Sequence, residues 1–584
     1  MSLADQADRR RGELEDRYRS WWPVTLSELL DRVTAQYAER PFVIGEEAIF
    51  SYADIAEWSA GLARGLVGRG LQRGDRVALV MPNGPDAIAA RFAVARAGAV
   101  AVPISFRLRA IELAEVLRQS QPAALITMEQ FREIDALEAL DQIMPGWEMP
   151  GRRPTALPEL QLVVTVPPPG GLPRRPDVLT LDGLNHDPDP VLDAELARRA
   201  AAARAQDTAT IFYTSGTTGH PKGVLSTYDM ELRSAYGSAY ARAFQDSRRI
   251  LFALPLNHVF AYVEGFLASM FVGGSVVVQS VFDAQATLAA IERHRAAEAL
   301  FVPTMSLAVI QAARMSGHDL PSLHSVMSAA QSAPASLWND LQQVLGVKQC
   351  VTAYGMTETS AASTFTRPGG PVDDLVGTVG WPKPGGLAGD PHLDGRLVEY
   401  KTVDRVTGAE LAPGAEGELA ARGPIVSPGY FRQPEATAAA MLPGGWLRSG
   451  DLGYIRDDGA LVLTGRAKDM YKCGGELVTP AEVETCLTRH TDIAQAYVVG
   501  VPDARMGEVG CAWIVPNEQA KPSAEEVIAY CRAELARFKV PAYVLLITAD
   551  RLPLTVSGKV QKFRLAERAI TELGLPEATT VQAG

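Results

Sequence analysis

The sequence predicts an α/β fold with a large, multi-lobed N-terminal domain of helix-covered sheets and a small α+β domain at the C-terminus. Short apolar runs at 75–81 and 99–104 alternate with alanine-rich helical stretches, which is typical of parallel sheets covered by helices. After Arg466 the chain has its own strand-like run at 496–502 and helix-like run at 524–538. A chain of 584 residues exceeds what one hydrophobic core usually serves, so at least two domains are expected.

The predicted domains are residues 1–466 and 467–584. The second has about 118 residues, a common size for a separate domain. Just before the boundary, Asp458-Gly459 stands between two alternating apolar runs, which predicts an antiparallel hairpin. The proline- and glycine-rich passage at 166–178 disfavours regular structure and is predicted to be a surface excursion in the N-terminal half.

The composition is that of a globular protein, with 47% hydrophobic and 21% charged residues. A net charge of -12 argues against nucleic acid or an anionic membrane as the main partner. The five cysteines form no CxxC pair and no Cys/His cluster at zinc spacing. The N-terminus lacks the apolar stretch of a signal peptide, and no run approaches the roughly 18 apolar residues of a membrane span. We therefore expect a cytoplasmic protein with reduced thiols.

The stretch 213–224, YTSGTTGHPKGV, predicts a phosphate-binding loop. It follows the apolar run 209–213, so it is expected at the end of a strand, where α/β folds place ligands. Its glycine backbone amides, its hydroxyls and the ammonium of Lys222 together suit a polyphosphate. A P-loop is excluded because the spacing is wrong, Pro221 precedes the lysine and Gly223 replaces the required Ser or Thr. The alternative is a flexible turn without a ligand.

Four further motifs follow in order: AYGMTETS (353–360), RSGDLGYI (448–455), GRAKDMYKCGGELVTPAEVE (465–484) and LPLTVSGKVQK (552–562). Each alone has an ordinary explanation, such as a helix cap, an Asx turn or a solvated lysine. Together with the phosphate loop they closely resemble, over roughly residues 25–570, the motifs of the adenylate-forming (ANL) superfamily. That superfamily includes acyl-CoA synthetases, aryl-CoA ligases, peptide-synthetase adenylation domains and luciferases.

The resemblance implies where a nucleotide binds. Thr357 is expected to contact a phosphate, Glu358 to bind Mg²⁺, and Asp451 to accept hydrogen bonds from the ribose hydroxyls. Arg466 is expected to reach ribose or phosphate, and Lys559 matches the catalytic lysine; Thr357 and Glu358 are counted as catalytic too. The residues assigned to ATP or AMP are Thr214, Ser215, Gly216, Thr217, Thr218, Lys222, Tyr354, Thr357, Asp451 and Arg466.

In the resembling enzymes the small C-terminal domain is mobile and swings about a hinge between two half-reactions. Lys468 occupies the hinge position, which relatives fill with Asp or Lys. Gly474 and Gly475 match a stretch that faces the pantetheine tunnel of coenzyme A, where glycine lets the backbone approach a narrow chain. For the glycines, a plain turn between strands is the alternative.

The resemblance also places an acyl pocket near 254–265 and near the segment that precedes the 353–360 motif. Its predicted residues are His258, Tyr262, Met305 and Gln331. His258 matches an aromatic or histidine gate and is counted among the catalytic residues, with a purely structural histidine as the alternative. Gln331 stands where relatives have glycine, and its amide needs polar partners if it is buried. This predicts a shortened or polar pocket floor, and it favours a compact polar or small aryl acid over a long alkyl chain.

The expected activity is that of an ATP-dependent acid:CoA ligase. A carboxylic acid would be activated as its acyl-adenylate and transferred to the thiol of coenzyme A, with ATP, Mg²⁺ and coenzyme A required. The alternatives are transfer to a carrier-protein thiol or an amine, activation of an oxyacid such as nitrite, and a non-catalytic nucleotide-binding relative. The expected partners are a small-molecule acid and coenzyme A or a carrier protein, with no nucleic acid and no membrane span; a homodimer is a further option.

Overall fold

The structure is a computed structural model that describes residues 3–22, 24–149, 154–214, 221–331, 333–466, 469–473, 476–503, 505–517, 520–555 and 559–575. The chain folds into two compact units. The first comprises Met1–Glu399 and Ala421–Leu447, and the second comprises Tyr400–Ala420 and Arg448–Gly584. The predicted α/β class, with a large N-terminal part and a small C-terminal part, is confirmed. The domain boundary after Arg466 stays a prediction.

Helices occur in both units. In chain order the α-helices are α1 Leu3–Tyr18, α2 Leu26–Tyr37, α3 Tyr52–Gly68, α4 Pro85–Arg96, α5 Ala110–Ser120, α6 Ala136–Ile143, α7 Leu181–Leu184, α8 Pro190–Ala202, α9 Tyr228–Ala241, α10 Ala268–Met270, α11 Ala284–His294, α12 Pro303–Met315, α13 Ala335–Val344, α14 Val372–Gly377, α15 Pro434–Ala440, α16 Pro480–Leu487, α17 Ala524–Glu534 and α18 Lys562–Leu573. A π-helix spans Phe260–Leu267, and 3₁₀ turns lie at Thr357–Thr359, Gly386–Ala388, Pro391–Leu393, Arg537–Lys539 and Ala549–Arg551.

The strands are β1 Pro41–Ile44, β2 Ile49–Ser51, β3 Arg76–Val80, β4 Val100–Pro103, β5 Ala124–Met128, β6 Gln130–Phe131, β7 Ile134–Asp135, β8 Leu162–Val166, β9 Leu179–Thr180, β10 Thr208–Thr214, β11 Lys222–Thr227, β12 Arg249–Phe252, β13 Ser275–Val278, β14 Glu298–Phe301, β15 Ser325–Ser328, β16 Gln349–Val351, β17 Ala353–Met356, β18 Ala361–Phe365, β19 Trp381–Pro382, β20 Glu399–Val403, β21 Gly417–Arg422, β22 Met441–Leu442, β23 Trp446–Ile455, β24 Leu461–Arg466, β25 Tyr471–Cys473, β26 Glu476–Val478, β27 Ile493–Asp503, β28 Gly507–Pro516 and β29 Tyr543–Leu546.

One sheet of the first unit has the order β11-β10-β4-β3-β5-β8-β9. Its inner strands pair in parallel, and the antiparallel partner β11 closes one edge. Strands β3 and β4 are the apolar runs predicted at 75–81 and 99–104, and they are buried on both faces as covered parallel strands usually are. Separate apolar cores cover the two faces, one with Leu62 and Ala93, the other with Leu117 and Leu140.

A second sheet of the first unit has the order β16-β15-β14-β12-β13-β1-β2 and is parallel except for the β1–β2 pair. Neighbouring parallel strands end at the same edge of a sheet, where α/β proteins bind ligands. The segments that leave β12, β14 and β15 at this edge carry His258, Met305 and Gln331. Three of the four predicted pocket residues therefore follow adjacent strands.

The predicted hairpin around Asp458-Gly459 is confirmed in the second unit. Strands β23 and β24 pair antiparallel, with Asp451 opposite Arg466. The Arg456 N–H donates to the Ala460 carbonyl at 2.9 Å, and Gly459 takes a φ of 83°, which favours glycine.

The C-terminal sheet of the second unit has the order β26-β25-β28-β27, with β29 paired to β28. Strand β27 confirms the run predicted at 496–502. Helix α17 begins at Ala524 as predicted but ends at Glu534, so the predicted end at 538 is wrong. The backbone of Leu535 turns extended (φ -122°, ψ 152°), and its side chain packs against the apolar core of this unit.

Residues 167–178 form neither helix nor strand, in agreement with the prediction for the Pro/Gly-rich passage. Their Arg174 forms an ion pair with Asp135, with an Nη1–Oδ2 distance of 2.7 Å. Among the helices that the structure describes, none is long and apolar enough to cross a membrane.

All five cysteines are free thiols and buried. Cys350 belongs to the first unit, whereas the second unit holds Cys473, Cys486, Cys511 and Cys531. Burial raises the pKa of Cys350, Cys511 and Cys531 to about 12, so these thiols hold their protons in the folded chain.

Candidate active site

The two described ends of the predicted phosphate loop meet at a sheet edge. Thr214 ends β10, Lys222 begins β11, and the two residues are paired across the antiparallel ladder. The Thr214 hydroxyl also donates to the Lys222 carbonyl at 3.5 Å. Ser215, Gly216, Thr217 and Thr218 lie outside the described residues. The hairpin fixes both ends of the loop, with Thr214 and Lys222 half-buried.

The motif at 353–360 forms a tight turn between β17 and β18. Thr357 and Glu358 belong to its 3₁₀ segment, and the buried Tyr354 precedes it on β17. Ser360 and Ala361 take φ values of 54° and 74°, a left-handed conformation that non-glycine residues rarely adopt. Such backbone strain persists only where the surroundings enforce it.

Gly355 is needed for this turn. A Cβ atom at Gly355 would lie 1.7 Å from the carbonyl oxygen of Ala361 on the facing strand. The close approach of the two backbones therefore requires a residue without a side chain.

A buried polar network holds the turn from behind. Lys383 Nζ donates to Ser234 Oγ at 2.8 Å and to Glu264 Oε1 at 3.2 Å. Ser234 Oγ donates in turn to the Ser360 carbonyl at 2.6 Å, and Glu264 Oε1 accepts from the Ala362 N–H at 3.1 Å. Burial lowers the pKa of Lys383 to about 8, although the Glu264 carboxylate opposes that shift. The network thus enforces the strained conformation that follows Glu358.

The network continues through further buried charges. Arg242 contacts both Glu264 and Glu298, and Arg248 Nε lies 2.7 Å from Glu298 Oε2. Their side chains are at most 1% exposed. Buried ion pairs of this kind do not guarantee stability, but removing one partner leaves a costly unpaired charge.

The Glu358 carboxylate has a partner that the sequence did not indicate. Tyr430 donates its phenolic hydroxyl to Glu358 Oε1 at 2.9 Å, and the Lys222 ammonium lies 4.9 Å from the centroid of the Tyr430 ring. The Ser427 N–H donates to the Glu358 carbonyl at 2.7 Å. Burial, and secondarily the Glu358 charge, raise the pKa of the Tyr430 phenol, so it remains a donor. Tyr430 is 72 positions from Glu358, and no spacing in the sequence connects them.

Glu358 fits a magnesium site that is shared with a nucleotide. Within the described part of the chain no cluster of three or more His, Cys, Asp or Glu side chains could hold a metal alone. Mg²⁺ is commonly held by one or two carboxylates together with substrate phosphates and water. The half-buried carboxylate of Glu358 has Oε1 bonded to Tyr430, and its Oε2 could bind a cation.

The predicted acyl-pocket residues differ in their surroundings. His258 is half-buried two residues before the π-helix, and its Nδ1 accepts from the Phe260 N–H at 3.4 Å. Tyr262 is 1% exposed and donates to Glu231 Oε2 at 3.0 Å. The guanidinium carbon of Arg91 lies 3.6 Å from the Tyr262 ring centroid. Burial raises the pKa of Glu231, and the neighbouring Arg91 acts against that shift. The buried side chain of Tyr262 therefore contacts two charged groups, and it also packs against the rings of Phe212 and Phe266.

The other two predicted pocket residues lie on separate elements. Met305 is buried in α12, and Gln331 is half-buried after β15. Ala330, next to Gln331, takes a φ of 78°, a conformation that favours glycine. The segment 328–334 thus accommodates a left-handed residue without a glycine.

In the second unit, two predicted nucleotide residues form an ion pair. Arg466 Nε lies 2.8 Å from Asp451 Oδ1, with Asp451 buried and Arg466 largely exposed. Gly450 precedes Asp451 with a φ of 73° and donates its N–H to Glu418 Oε1 at 3.0 Å.

In the C-terminal lysine motif, the described residues Thr555 and Lys559 are hydrogen-bonded to each other. Lys559 donates its N–H to Thr555 Oγ1 at 3.0 Å, and the Thr555 N–H donates to the Lys559 carbonyl at 2.7 Å. These two bonds fix the backbone that carries the half-buried Lys559 side chain. Lys468, Gly474 and Gly475 lie outside the described residues.

Comparisons with known proteins show the family of the chain. The profile of the AMP-binding enzyme family matches residues 30–431, and that of the AMP-binding enzyme C-terminal domain matches residues 482–559.

Two curated relatives span nearly the whole chain. The 3-[(3aS,4S,7aS)-7a-methyl-1,5-dioxo-octahydro-1H-inden-4-yl]propanoyl:CoA ligase of Mycobacterium tuberculosis is 35% identical over 93% of this chain and 98% of its own. The mitochondrial medium-chain acyl-CoA ligase ACSF2 of Bos taurus is 32% identical over 94% of this chain and 88% of its own. Among solved structures, ATP-bound MatB from Rhodopseudomonas palustris is 26% identical, with a TM-score of 0.75 over 93% of this chain and 99% of that one.

Proposed function

The chain belongs to the AMP-binding enzyme family, and from this premise we propose that it is an ATP-dependent acid:CoA ligase for a compact aryl or polar carboxylic acid. The observation that carries the proposal is the match of both family profiles in one chain whose full-length relatives are CoA ligases. The enzyme is AMP-forming.

The chemistry proceeds in two balanced steps. A carboxylate oxygen attacks the α-phosphorus of ATP, the bond to the β-phosphate oxygen breaks, and pyrophosphate leaves. The thiol of coenzyme A then loses its proton and attacks the acyl carbon, and AMP leaves with the bonding electrons. The first step brings two anions together, so fixed cations and oriented donors supply most of the acceleration.

The described geometry supports roles for the residues of the first unit. Lys222 and Thr214, joined at the base of the hairpin, would present cationic and hydroxyl donors to the triphosphate. Thr357 would contact a phosphate in the same turn that carries Glu358. Glu358 would hold Mg²⁺, which when bound neutralises phosphate charge. Tyr354, buried on the adjoining strand, would support the nucleotide side of the turn.

For the second unit the proposal assigns roles to one ion pair and one lysine. Asp451, an acceptor-only group, would bind the ribose hydroxyls, and its partner Arg466 would reach ribose or phosphate. Lys559 would bring its ammonium to the charge that develops during adenylation. A division after residue 466, a hinge at Lys468 and a coenzyme A passage along Gly474 and Gly475 remain part of the same proposal.

The proposed substrate class is supported by the buried groups near the predicted pocket residues. Tyr262 donates to Glu231 and lies against Arg91, so a long alkyl chain that extended past Tyr262 would have to displace hydrogen-bonded, buried charges. Gln331 adds an amide after β15, and His258 would line the entrance. The Mycobacterium tuberculosis relative is a ligase for a propanoyl acid on a compact bicyclic diketone, which agrees with this size and polarity.

The test is product analysis by mass spectrometry. The protein is incubated with ATP, Mg²⁺ and coenzyme A plus one acid at a time: anthranilate, benzoate, a bicyclic keto acid with a propanoate arm, octanoate or palmitate. We expect acyl-CoA and equimolar AMP with one of the first three acids, and loss of both products with the Glu358→Gln variant. Turnover of palmitate alone would contradict the substrate class. AMP without thioester would indicate another acceptor, and no AMP with any acid would contradict the ligase assignment.

A further inference from the structure

Tyr430 connects two side chains of the proposed nucleotide site. Its hydroxyl donates to Glu358 Oε1 at 2.9 Å, while its ring lies beneath the Lys222 ammonium, 4.9 Å from the centroid. Tyr430 belongs to none of the five sequence motifs. It nevertheless contacts the proposed metal ligand of one motif and the cation of another.

The backbone around Tyr430 is held as firmly as the side chain. The Tyr430 N–H donates to Thr437 Oγ1 at 3.0 Å, and the Phe431 N–H donates to the Gly223 carbonyl at 2.7 Å. Gly429 takes a φ of 140°, and a Cβ atom there would lie 2.4 Å from Thr437 Cγ2. The segment therefore runs along β11 in one fixed conformation, and the hydroxyl of Tyr430 is delivered to a defined point.

We propose that Tyr430 is a positioning residue for adenylation, which orients the Glu358 carboxylate so that Oε2 faces the metal ion that accompanies ATP. The proposal rests on the proposed function. A carboxylate with one oxygen fixed by a hydrogen bond loses fewer orientations on binding a cation than one that rotates freely. The hydroxyl is the active part, because the ring alone supplies only the contact with Lys222.

Because the hydroxyl of Tyr430 contacts Glu358 and its ring contacts Lys222, the hydroxyl can be tested alone. Tyr430→Phe removes the hydroxyl and keeps the ring against Lys222. The matched control is Tyr497→Phe in the second unit, where the lost hydroxyl donates only to Gln495 at 2.9 Å. The readout is direct binding of Mn²⁺, a hard cation that accepts the same oxygen ligands, followed by electron paramagnetic resonance in the presence of α,β-methylene-ATP.

We expect Tyr430→Phe to weaken Mn²⁺ binding by about tenfold or more, as loss of a group that orients a metal ligand commonly does. Binding of the nucleotide in the presence of EDTA is expected to be unchanged, because the ring and the phosphate loop are intact. A fold disturbed by the substitution would weaken the binding of both Mn²⁺ and the nucleotide. Weaker Mn²⁺ binding with unchanged nucleotide binding therefore identifies a positioning role.

A double-mutant cycle with Glu358→Gln completes the test. If Tyr430 acts through Glu358, removing its hydroxyl from the Glu358→Gln chain should change Mn²⁺ binding less than about twofold. Equal Mn²⁺ affinity of Tyr430→Phe, Tyr497→Phe and the wild-type chain would overturn the inference and leave the proposed function standing. Failure of the wild-type chain to bind the nucleotide at all would overturn the proposed function and the inference with it.

Discussion

Replacing the buried pair Lys383 and Glu264 by Met and Gln should remove a specific pH dependence of stability. Burial lowers the pKa of Lys383 from its ordinary 10.5 to about 8, against the attraction of Glu264. Below pH 8 the lysine is protonated in both folded and unfolded chains. Between pH 8 and 10.5 the folded chain has lost this proton while the unfolded chain retains it. Because the unfolded state then binds more protons, the free energy of unfolding rises with pH across this window.

The size of the effect follows from the two pKa values. Each pKa unit is worth about 1.4 kcal/mol, so a fall from 10.5 to about 8 corresponds to about 3 kcal/mol. At neutral pH the protonated lysine costs the fold this amount, and the cost disappears as the pH approaches 10.5. We therefore expect the free energy of unfolding of the wild-type chain to rise by about 3 kcal/mol relative to that of the Lys383→Met/Glu264→Gln variant between pH 8 and 10.5.

The assay is urea unfolding of both chains at half-unit intervals from pH 7 to 10.5, followed by circular dichroism. Tyrosines, cysteines and other lysines titrate in this range in both chains, so their contributions cancel in the difference. Parallel curves for the two chains would refute the reasoning, because they would mean that Lys383 ionises in the folded chain as it does in water. If the free energy of unfolding of the wild-type chain instead fell with pH relative to that of the variant, Glu264 would dominate and raise the pKa of Lys383.

Further predictions concern the site and its domains. Lys559→Ala should slow pyrophosphate release about 10²- to 10³-fold without changing the melting temperature, and unchanged release would remove Lys559 from the mechanism. Gly355→Ala should lower the free energy of unfolding by more than about 2 kcal/mol, because its Cβ would overlap the Ala361 carbonyl at 1.7 Å. Gly377→Ala serves as the control, because a Cβ atom at Gly377 would have no atom within 4 Å. Its free energy of unfolding should stay within about 0.5–1 kcal/mol of that of the wild type. Lys468→Pro should spare acyl-adenylate formation and impair thioester formation; equal loss of both steps would contradict a hinge there.

Much of the fold could be predicted because its signals are local. Covered parallel strands are apolar on both faces, so β3 and β4 are continuous apolar runs in the sequence. The hairpin at Asp458-Gly459 follows from two turn residues alone. The end of α17 is not predictable from the sequence, because Leu535 leaves the helix to pack against a core that only the tertiary structure defines.

The sequence predicts the candidate site as separate motifs, but it does not predict the residues that hold these motifs in place. Ser234, Glu264 and Lys383 are polar residues in otherwise ordinary segments, and nothing in their spacing shows that they meet behind the turn at Ser360. The same holds for Tyr430 and Glu358. Short motifs identify groups that touch a ligand, whereas the groups that hold them in place are assembled by chain segments far apart in sequence.

Each unit contains at least one buried thiol, so the rate of cysteine alkylation can report on the opening of each unit separately. A maleimide in solution can reach Cys350 only when the first unit opens, whereas the other four thiols await opening of the second. Timed alkylation read out peptide by peptide would therefore compare the local opening of the two units in the natural chain, without an introduced probe. Adding ATP or an acid to such an experiment would reveal which unit each molecule protects.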